Sequence, residues 1–358
     1  MVLATLAAPA APARADEEAV IRTEITRSVE SAIESGLDAL VSLQDSNTGA
    51  IGKSYRVAST ALGGLALLAA GAQPGEGTYG KALEEATRFL TSETVAKRVP
   101  NGRYFLYDGE QSGQMHAHGF AMLFLAEVYG VGTPEKDEEI ARILRGAIAL
   151  VVDAQTDLGG WGYHHRGEVK WGEDEGSVTV TQIQALRAAR DAGFAVDSRV
   201  IDDAVGYIRR SMTADGSCRY SLTMGAEGFR TSYELTAAAV STLNASGVYG
   251  GPELERGLGY MRQEVEKARA RGGKNPSAAR AASSFDWYGN LYAAQAMYQV
   301  GGLEWTTWFE DVREYVVRLQ KPDGSWPEGE RQFGAAYSTA SALLILQVPR
   351  RYLPIFQR

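Results

Sequence analysis

The sequence has few of the features that would indicate a membrane protein, a nucleic-acid-binding protein or a disulfide-rich protein. It has one cysteine, Cys218, in 358 residues, so no disulfide can form within the chain. No apolar run approaches the ~20 residues that a transmembrane helix needs. The net charge is −8, from 36 basic and 44 acidic residues, which gives no support for nucleic-acid binding. Hydrophobic residues make up 45% and charged residues 22%, as is typical of a globular domain.

The first 15 residues differ in composition from the rest of the chain. They are rich in alanine and end in Ala13-Arg14-Ala15, ahead of an acidic stretch. A small-x-small triplet after a nearly uncharged segment is typical of a signal-peptide cleavage site. We therefore expect residues 1–15 to be a signal-peptide remnant, which indicates a secreted or periplasmic protein; the alternative is a disordered Ala/Pro leader. Residues 16–358 are expected to form a single domain.

A pattern of two helices and a glycine-rich turn repeats along the chain about every 50–60 residues. Its clearest copy is 320–326 (Gln-Lys-Pro-Asp-Gly-Ser-Trp), which follows an amphipathic segment and precedes the Ala-rich run 335–346. Six small-residue helices of this kind are predicted to start near Val57, Gln114, Glu175, Ser232, Asp286 and Ala335. A two-helix repeat of this length predicts stacked helical hairpins, each of which buries its faces against its neighbours.

The two helices of each repeat differ in polarity. The first has one apolar and one charged face, as in 308–319. The second has few charges and many Ala and Gly residues, which is typical of a helix contacted closely on several sides. The sequence therefore predicts an all-α fold, an (α/α)6 toroid of six helical hairpins whose inner helices line a central cavity. Closure into a ring removes the exposed ends that an open solenoid must cap.

The repeat also resembles that of a known superfamily. Gln320, Asp323, Gly324, Ser325 and Trp326 match the pattern Gln-x-x-Asp-Gly-Ser-Trp, the QW motif, and weaker copies stand at 44–49, 155–161 and 215–218. On these residues the chain resembles the terpenoid cyclase and protein prenyltransferase α/α-toroid superfamily. In more detail it is similar to the secreted bacterial prenyltransferase/squalene-oxidase-repeat proteins, which are squalene-hopene-cyclase-like. The resemblance implies the toroid fold, with Gln and Trp side chains that join the end of an outer helix to its neighbour.

A squalene-hopene-type cyclase carries an Asp-x-Asp-Asp acid at the start of one inner helix, and this motif is missing here. The best-aligned segment is 175–178 (Glu-Gly-Ser-Val), which places Ser177 at the proton-donating position. A hydroxyl group cannot protonate an alkene, because that step needs a strongly acidic carboxyl group. The adjacent carboxylates of Glu173, Asp174 and Glu175 are expected in a solvated loop.

The residues for a prenyltransferase metal site are missing as well. Those enzymes hold zinc with Asp, Cys and His, whereas Cys218 stands in a turn where other repeats have Trp. We expect Cys218 to be a small buried residue that fills space. No Asp-Asp-x-x-Asp site for magnesium and a diphosphate is present either. The sequence therefore predicts no metal and no cofactor.

All four histidines lie in the second and third hairpins. His116 and His118 open an inner helix, and His164 and His165 follow the turn that leads to the next one. Because both segments belong to the same rim of a toroid, we predict that His116, His118 and one of the other two converge there without a metal ion. They would bind ligand, or form an acid–base set with a nearby carboxylate. The alternatives are a metal site completed by Glu175 or Glu234, and rings that only pack and hydrogen-bond within the rim.

Further candidates stand at the starts of the inner helices. The candidate catalytic residues are Glu175, Glu234, Asp286 and Tyr288. Glu234 also fits a capping box in 231–234, and Asp286 fits an N-cap, so each has a structural alternative. The candidate ligand-binding residues besides the histidines are the aromatic Tyr233, Trp287, Tyr292 and Tyr337. When the six starts are aligned, their third positions hold Ser59, His116, Ser177, Glu234, Tyr288 and Tyr337.

The sequence leaves three functions open. The resemblance favours a secreted protein that holds an elongated apolar, isoprenoid-like ligand in its central cavity, so that the partner is an apolar small molecule or lipid. One alternative is a non-catalytic module that binds a peptide or protein at the rim, although no particular protein is indicated. The other is a polysaccharide-active enzyme, which needs a carboxylate pair or a Tyr or His base beside a cleft.

Overall fold

The computed structural model describes residues 24–109, 113–165, 174–225, 229–270, 286–328 and 333–354, so the proposed signal-peptide remnant lies outside the described residues. Within these ranges the chain forms twelve α-helices. The odd-numbered helices are α1 (Arg27–Ser42), α3 (Gly77–Thr91), α5 (Pro134–Ala154), α7 (Ser198–Ser211), α9 (Pro252–Ala270) and α11 (Gly302–Leu319). The even-numbered helices are α2 (Arg56–Ala69), α4 (Gln114–Val128), α6 (Gly176–Asp191), α8 (Tyr233–Ala245), α10 (Asp286–Val300) and α12 (Ala335–Gln347).

The even-numbered helices form a closed inner ring. Each packs against the next, from α2 through α4, α6, α8 and α10 to α12, and α12 packs back against α2. The odd-numbered helices surround this ring, and α11 contacts α1 at the seam where the ring closes. The predicted all-α toroid of six hairpins is therefore confirmed. We call the space enclosed by the inner helices the lumen.

Small residues allow the inner helices to approach one another. A Cβ added at Gly64 of α2 would lie 2.3 Å from the ring of Phe124 in α4. One added at Gly119 of α4 would lie 2.7 Å from the side chain of Gln182 in α6. Contacts this short leave no room for a larger side chain, which explains why the inner helices are rich in Gly and Ala.

Three equivalent glutamine side chains join successive outer helices. Each donates two hydrogen bonds, one within its own turn and one to a carbonyl group of the next outer helix. The second bonds are Gln44 to Ala82 (2.9 Å), Gln155 to Val200 (2.8 Å) and Gln320 to Ala32 (2.8 Å). The bond to Ala32 joins the last outer helix to the first and so locks the seam of the ring.

The turn after α11 is tightly built. Gly324 has a φ of 82°, and a Cβ there would lie 2.3 Å from the Ser35 carbonyl oxygen, so only glycine fits. The Trp326 side chain is fully buried, as predicted, and its Nε1 donates to the Val316 carbonyl oxygen at 2.7 Å. Trp161 makes the equivalent bond to Val151 at 2.8 Å.

Few strands interrupt the helices. Strands β1 (Ala96–Val99) and β2 (Arg103–Leu106) form one antiparallel pair, and β3 (Cys218–Arg219) and β4 (Thr231–Ser232) form another. Cys218 is buried and unpaired, as its expected space-filling role requires. None of the helices that the structure describes has the length and apolar character needed to cross a membrane.

Candidate ligand site at the mouth of the lumen

The starts of several inner helices are held together at one rim. The Met115 amide at the start of α4 donates to the Tyr163 carbonyl oxygen (3.1 Å), and the Gly176 amide of α6 donates to that of Tyr220 (2.9 Å). Trp287 Nε1 of α10 donates to the carbonyl oxygen of Pro327, ahead of α12 (3.2 Å). We call this end of the lumen the mouth.

Glu175 is the central polar residue of the mouth. It is 1% exposed and caps the N-terminus of α6. Its Oε2 accepts hydrogen bonds from the Val178 amide at 2.8 Å and from the Ser177 hydroxyl at 2.5 Å. Its Oε1 is buried and has no hydrogen-bond partner in the described part of the chain. Oε2 thus serves the helix cap, and Oε1 is left available for a hydrogen bond to a ligand or water.

A hydrogen-bonded series connects Glu175 to a histidine. The Ser177 Oγ that bonds to Glu175 also lies 2.9 Å from His116 Nε2. When Glu175 is ionised, Ser177 donates to it, and the neutral imidazole must donate its Nε2 proton to Ser177. The series runs from α4 to α6 and joins His116 and Ser177, which both hold the third position of the aligned helix starts.

The electrostatic setting of the mouth favours uncharged groups. Burial raises the pKa of Glu175 to about 7, although the hydrogen bonds from Ser177 and Val178 and the positive charge of Arg230 act in the opposite direction. Burial also lowers the pKa of His116 to about 4. At neutral pH the site therefore holds a neutral imidazole beside a carboxyl group whose pKa is raised to about 7.

Aromatic side chains form the opposite side of the mouth. The rings of Tyr288 and Tyr292 on α10 lie 4.7 Å apart, and Phe333 lies 5.3 Å from Tyr337 and 5.2 Å from Tyr55. We call these five residues the aromatic wall. Burial is the main cause that raises the pKa of the Tyr288 hydroxyl, and the neighbouring Tyr292 and the charge of Glu175 contribute.

A buried polar cluster joins three inner helices below the mouth. Gln184 Nε2 of α6 donates to Gln295 Oε1 of α10 at 2.6 Å, and the Ser241 hydroxyl of α8 donates to the same oxygen at 3.0 Å. We call these three residues the floor. Seven residues separate Tyr288 from Gln295 on α10, so the floor lies about 10 Å from Tyr288 along the helix, at a rise of about 1.5 Å per residue.

The histidine segments meet at one rim, as predicted, but the four rings have different roles. His165 packs edge-on against Phe105 (4.6 Å between centroids), which in turn lies 5.5 Å from His118. His118 is fully buried and its Nδ1 accepts the Leu106 amide at 3.1 Å, so this nitrogen has a structural partner, while a ligand-binding role of His118 stays a prediction. Burial lowers the pKa of His118 to about 3. His164 is partly exposed, with its Nδ1 buried.

No metal centre is evident among these residues. Within the described ranges, no three His, Cys, Asp or Glu side chains lie close enough together to hold an ion.

Two of the predicted aromatic residues make hydrogen bonds within the protein. The Tyr233 hydroxyl accepts a hydrogen bond from Trp308 Nε1 of the outer helix α11 at 3.3 Å, so this fully buried residue joins the two layers. Trp287 is 4% exposed and its indole bonds to the loop carbonyl of Pro327. Each therefore has a packing role, and the ligand contact predicted for each stays a prediction.

The two remaining carboxylate candidates lie at helix starts. The N-cap of α8 is Ser232, whose hydroxyl accepts the Leu235 amide at 3.2 Å, so the capping box predicted to begin at Thr231 is wrong by one residue. Glu234 is buried in the first turn of the same helix. Asp286 is the first residue of α10 rather than its N-cap, and its side chain lies outside the described part of the structure.

The expectation that the acidic cluster lies in a solvated loop is also wrong for its described members. Asp174, like Glu175, is 1% exposed. Its carboxylate accepts bonds from Tyr207 and Thr223, and from the Leu222 amide at 2.8 Å. Asp174 is therefore a structural clamp that positions Glu175. No pattern in the sequence indicated this role, whereas the floor could have been found from glutamines inside Ala-rich helices that are apolar nearly all round.

Similarity to known proteins is confined to structure. No family model matches the chain, and no curated protein matches it in sequence. Among solved structures, the type II terpene cyclase MstE from Scytonema, in complex with its substrate geranylgeranyl dihydroxybenzoate, aligns with a TM-score of 0.61 and 14% identity. The alignment covers 92% of this chain and 99% of that one.

Two further structures align comparably. A GH76 α-mannanase from Bacteroides thetaiotaomicron has a TM-score of 0.62 and 11% identity, over 93% of this chain and 98% of that one. A protein from Actinoplanes has a TM-score of 0.58 and 17% identity, over 90% and 99%. Identities this low show the fold alone, which is the α/α toroid shared by terpenoid cyclases and by this mannanase.

Proposed function

We propose that the protein binds an apolar, isoprenoid-like small molecule at the mouth of its lumen, with Glu175 as the acid–base group that contacts it. The observation that carries the proposal is the buried, unpartnered Oε1 of Glu175 opposite the aromatic wall. An apolar lining with a few convergent polar groups and a perturbed carboxyl is typical of a small-molecule site. A terpene cyclase with the same fold takes a geranylgeranyl-bearing substrate, which supports this class of ligand.

The floor limits how much of the ligand enters the lumen. The distance of about 10 Å from Tyr288 to the floor accepts a short prenyl chain, or the end of a longer one whose remainder lies outside the mouth. We therefore expect that an elongated ligand is not enclosed along its whole length.

The raised pKa of Glu175 restricts the chemistry. A carboxyl group that titrates near pH 7 is a weak acid, and so it is unsuited to protonating an alkene. The same group exchanges protons readily with oxygen at neutral pH. We therefore expect Glu175 to act on an oxygen-bearing group rather than to start the cyclisation of a hydrocarbon.

Calorimetric titration with geraniol and with mannotriose tests the proposal. We expect geraniol to bind and to raise the melting temperature, because a ligand that binds only the folded state stabilises it. Tyr337→Ala, in the aromatic wall, should weaken this binding. Tyr249→Ala is the control, since Tyr249 is 66% exposed in the loop after α8. Failure of geraniol to bind at any accessible concentration would refute the proposal.

A polysaccharide is the second candidate ligand, and one observation favours it. Glu175 caps α6 and Asp286 opens α10, so both residues stand at the starts of inner helices that border the lumen. Glycosidases use a pair of carboxyl groups on the two sides of the scissile bond. Binding of mannotriose that is lost in Tyr337→Ala would support this candidate in place of the first.

A further inference from the structure

Several buried oxygen atoms near the mouth have no hydrogen-bond partner among the described residues. They include Oε1 of Glu175 on α6 and the hydroxyl oxygens of Tyr288 and Tyr292 on α10. Buried polar atoms in folded proteins are nearly always paired with protein or with water. Oxygen atoms left open at a site lined by aromatic rings therefore indicate a position for a polar atom that the chain itself does not supply.

The Glu175 carboxyl group and the Tyr288 hydroxyl can both hydrogen-bond to a single oxygen atom. The Tyr288 hydroxyl can donate one hydrogen bond, and the Glu175 carboxyl group can accept one when ionised or donate one when protonated. A hydroxyl oxygen that lies between them satisfies both, since it donates and accepts at once. A carbonyl oxygen satisfies both when Glu175 is protonated.

We propose that the ligand is an oxygenated isoprenoid, an alcohol or a carbonyl compound, whose oxygen atom lies between Glu175 Oε1 and the Tyr288 hydroxyl. This inference rests on the proposed function and adds to it the chemical class and the orientation of the ligand. The oxygen is held at the mouth, and the hydrocarbon chain extends along α10 past Tyr292 towards Gln295 of the floor.

Displacement of a bound water molecule should increase the difference in affinity between an alcohol and a hydrocarbon. In the free protein a water molecule can fill the position between the two oxygens, because a polar site with two partners is suited to hold one. An alcohol displaces this water and reproduces its hydrogen bonds, whereas a hydrocarbon of the same shape leaves both protein groups unpaired. The site should therefore distinguish two ligands that differ only in the oxygen atom.

The test compares geraniol with myrcene, a hydrocarbon of the same carbon skeleton, on the whole protein and on two conservative variants. Tyr288→Phe removes only the hydroxyl at the proposed position. Tyr298→Phe is the control on the same helix, since Tyr298 packs against Trp305 of the outer layer with 5.1 Å between ring centroids. Circular dichroism and thermal unfolding establish that each variant is folded.

We expect the unaltered protein to bind geraniol more tightly than myrcene. Tyr288→Phe should weaken geraniol binding by about 2- to 13-fold, the range that one ordinary hydrogen bond supports, and should leave myrcene binding unchanged. Tyr298→Phe should change neither. Equal affinity for geraniol and myrcene, with no effect of Tyr288→Phe, would overturn this inference. The proposed apolar binding site would remain supported. Absence of binding by either probe would overturn the proposed function itself.

Discussion

Replacing Glu175 by glutamine should change how the stability of the fold depends on pH. Glutamine keeps the shape of the side chain and an oxygen that can accept the Val178 amide, so the cap of α6 is preserved. What it removes is the ionisation of a carboxyl group that is 1% exposed. The difference between the two proteins therefore isolates the cost of charging Glu175 inside the lumen.

The magnitude follows from the shift in pKa. The folded-state pKa of Glu175 is about 7, against an ordinary value of 4.5, so the folded protein binds more protons than the unfolded chain between these values. Stability contributed by the protonated carboxyl is complete below pH 4.5 and is lost as the pH rises through 7. A shift of about 2.5 pH units at 1.36 kcal/mol per unit amounts to about 3 kcal/mol.

Urea unfolding of both proteins at a series of pH values from 4 to 8.5 measures this quantity. We expect the free energy of unfolding of Glu175→Gln, relative to the unaltered protein, to rise by about 3 kcal/mol across that range. Glu135→Gln, an exposed site in the first turn of α5, controls for the loss of a carboxyl group from a helix start. A difference between Glu175→Gln and the unaltered protein that stays constant with pH would show that Glu175 is ionised without penalty, and would remove the basis for its acid–base role.

Two further predictions concern the seam of the ring and the missing cyclase acid. Trp326→Ala and Trp161→Ala should each cost about 3–5 kcal/mol by chemical unfolding, because both truncate a fully buried aromatic ring; a much smaller loss at Trp326 would mean that the last hairpin is not locked to the first. The purified protein should not convert squalene, since Ser177 stands where the acid is needed. Polycyclic product formed well above a no-enzyme control would show that this alignment is wrong.

The fold could be predicted because its signals are local and repeated. Each hairpin carries its own change of polarity and its own glycine turn, so the six copies support one another. The inner helices α4, α10 and α12 begin at the predicted residues Gln114, Asp286 and Ala335, and α2 begins at Arg56 instead of Val57. Closure of the ring was predicted from the number of hairpins. The hydrogen bond from Gln320 to Ala32 that locks the seam involves the Gln of the repeated turn.

The site was harder to predict because its members come from different hairpins. A side chain turns by about 100° for each residue along a helix, so an error of one position decides whether it faces the lumen or the outer layer. Tyr233 and Tyr288 illustrate the point. Tyr288, at the third position of its start, faces Glu175, whereas Tyr233, at the second, bonds to Trp308 in the outer layer. Alignment of third positions was the useful signal, since it also brought His116 next to Ser177.

The electrostatics of Glu175 could not be read from its neighbours in the sequence. It caps a helix N-terminus and accepts two hydrogen bonds, and each of these features by itself favours the ionised form and lowers a pKa. Burial outweighs them, and that burial depends on Asp174, which fixes the loop before α6, and on the aromatic wall of other hairpins. The result is a carboxyl group that is too weakly acidic for an alkene and well suited to an oxygen atom. The absence of an Asp-x-Asp-Asp acid motif and the raised pKa of Glu175 thus both argue against protonation of an alkene.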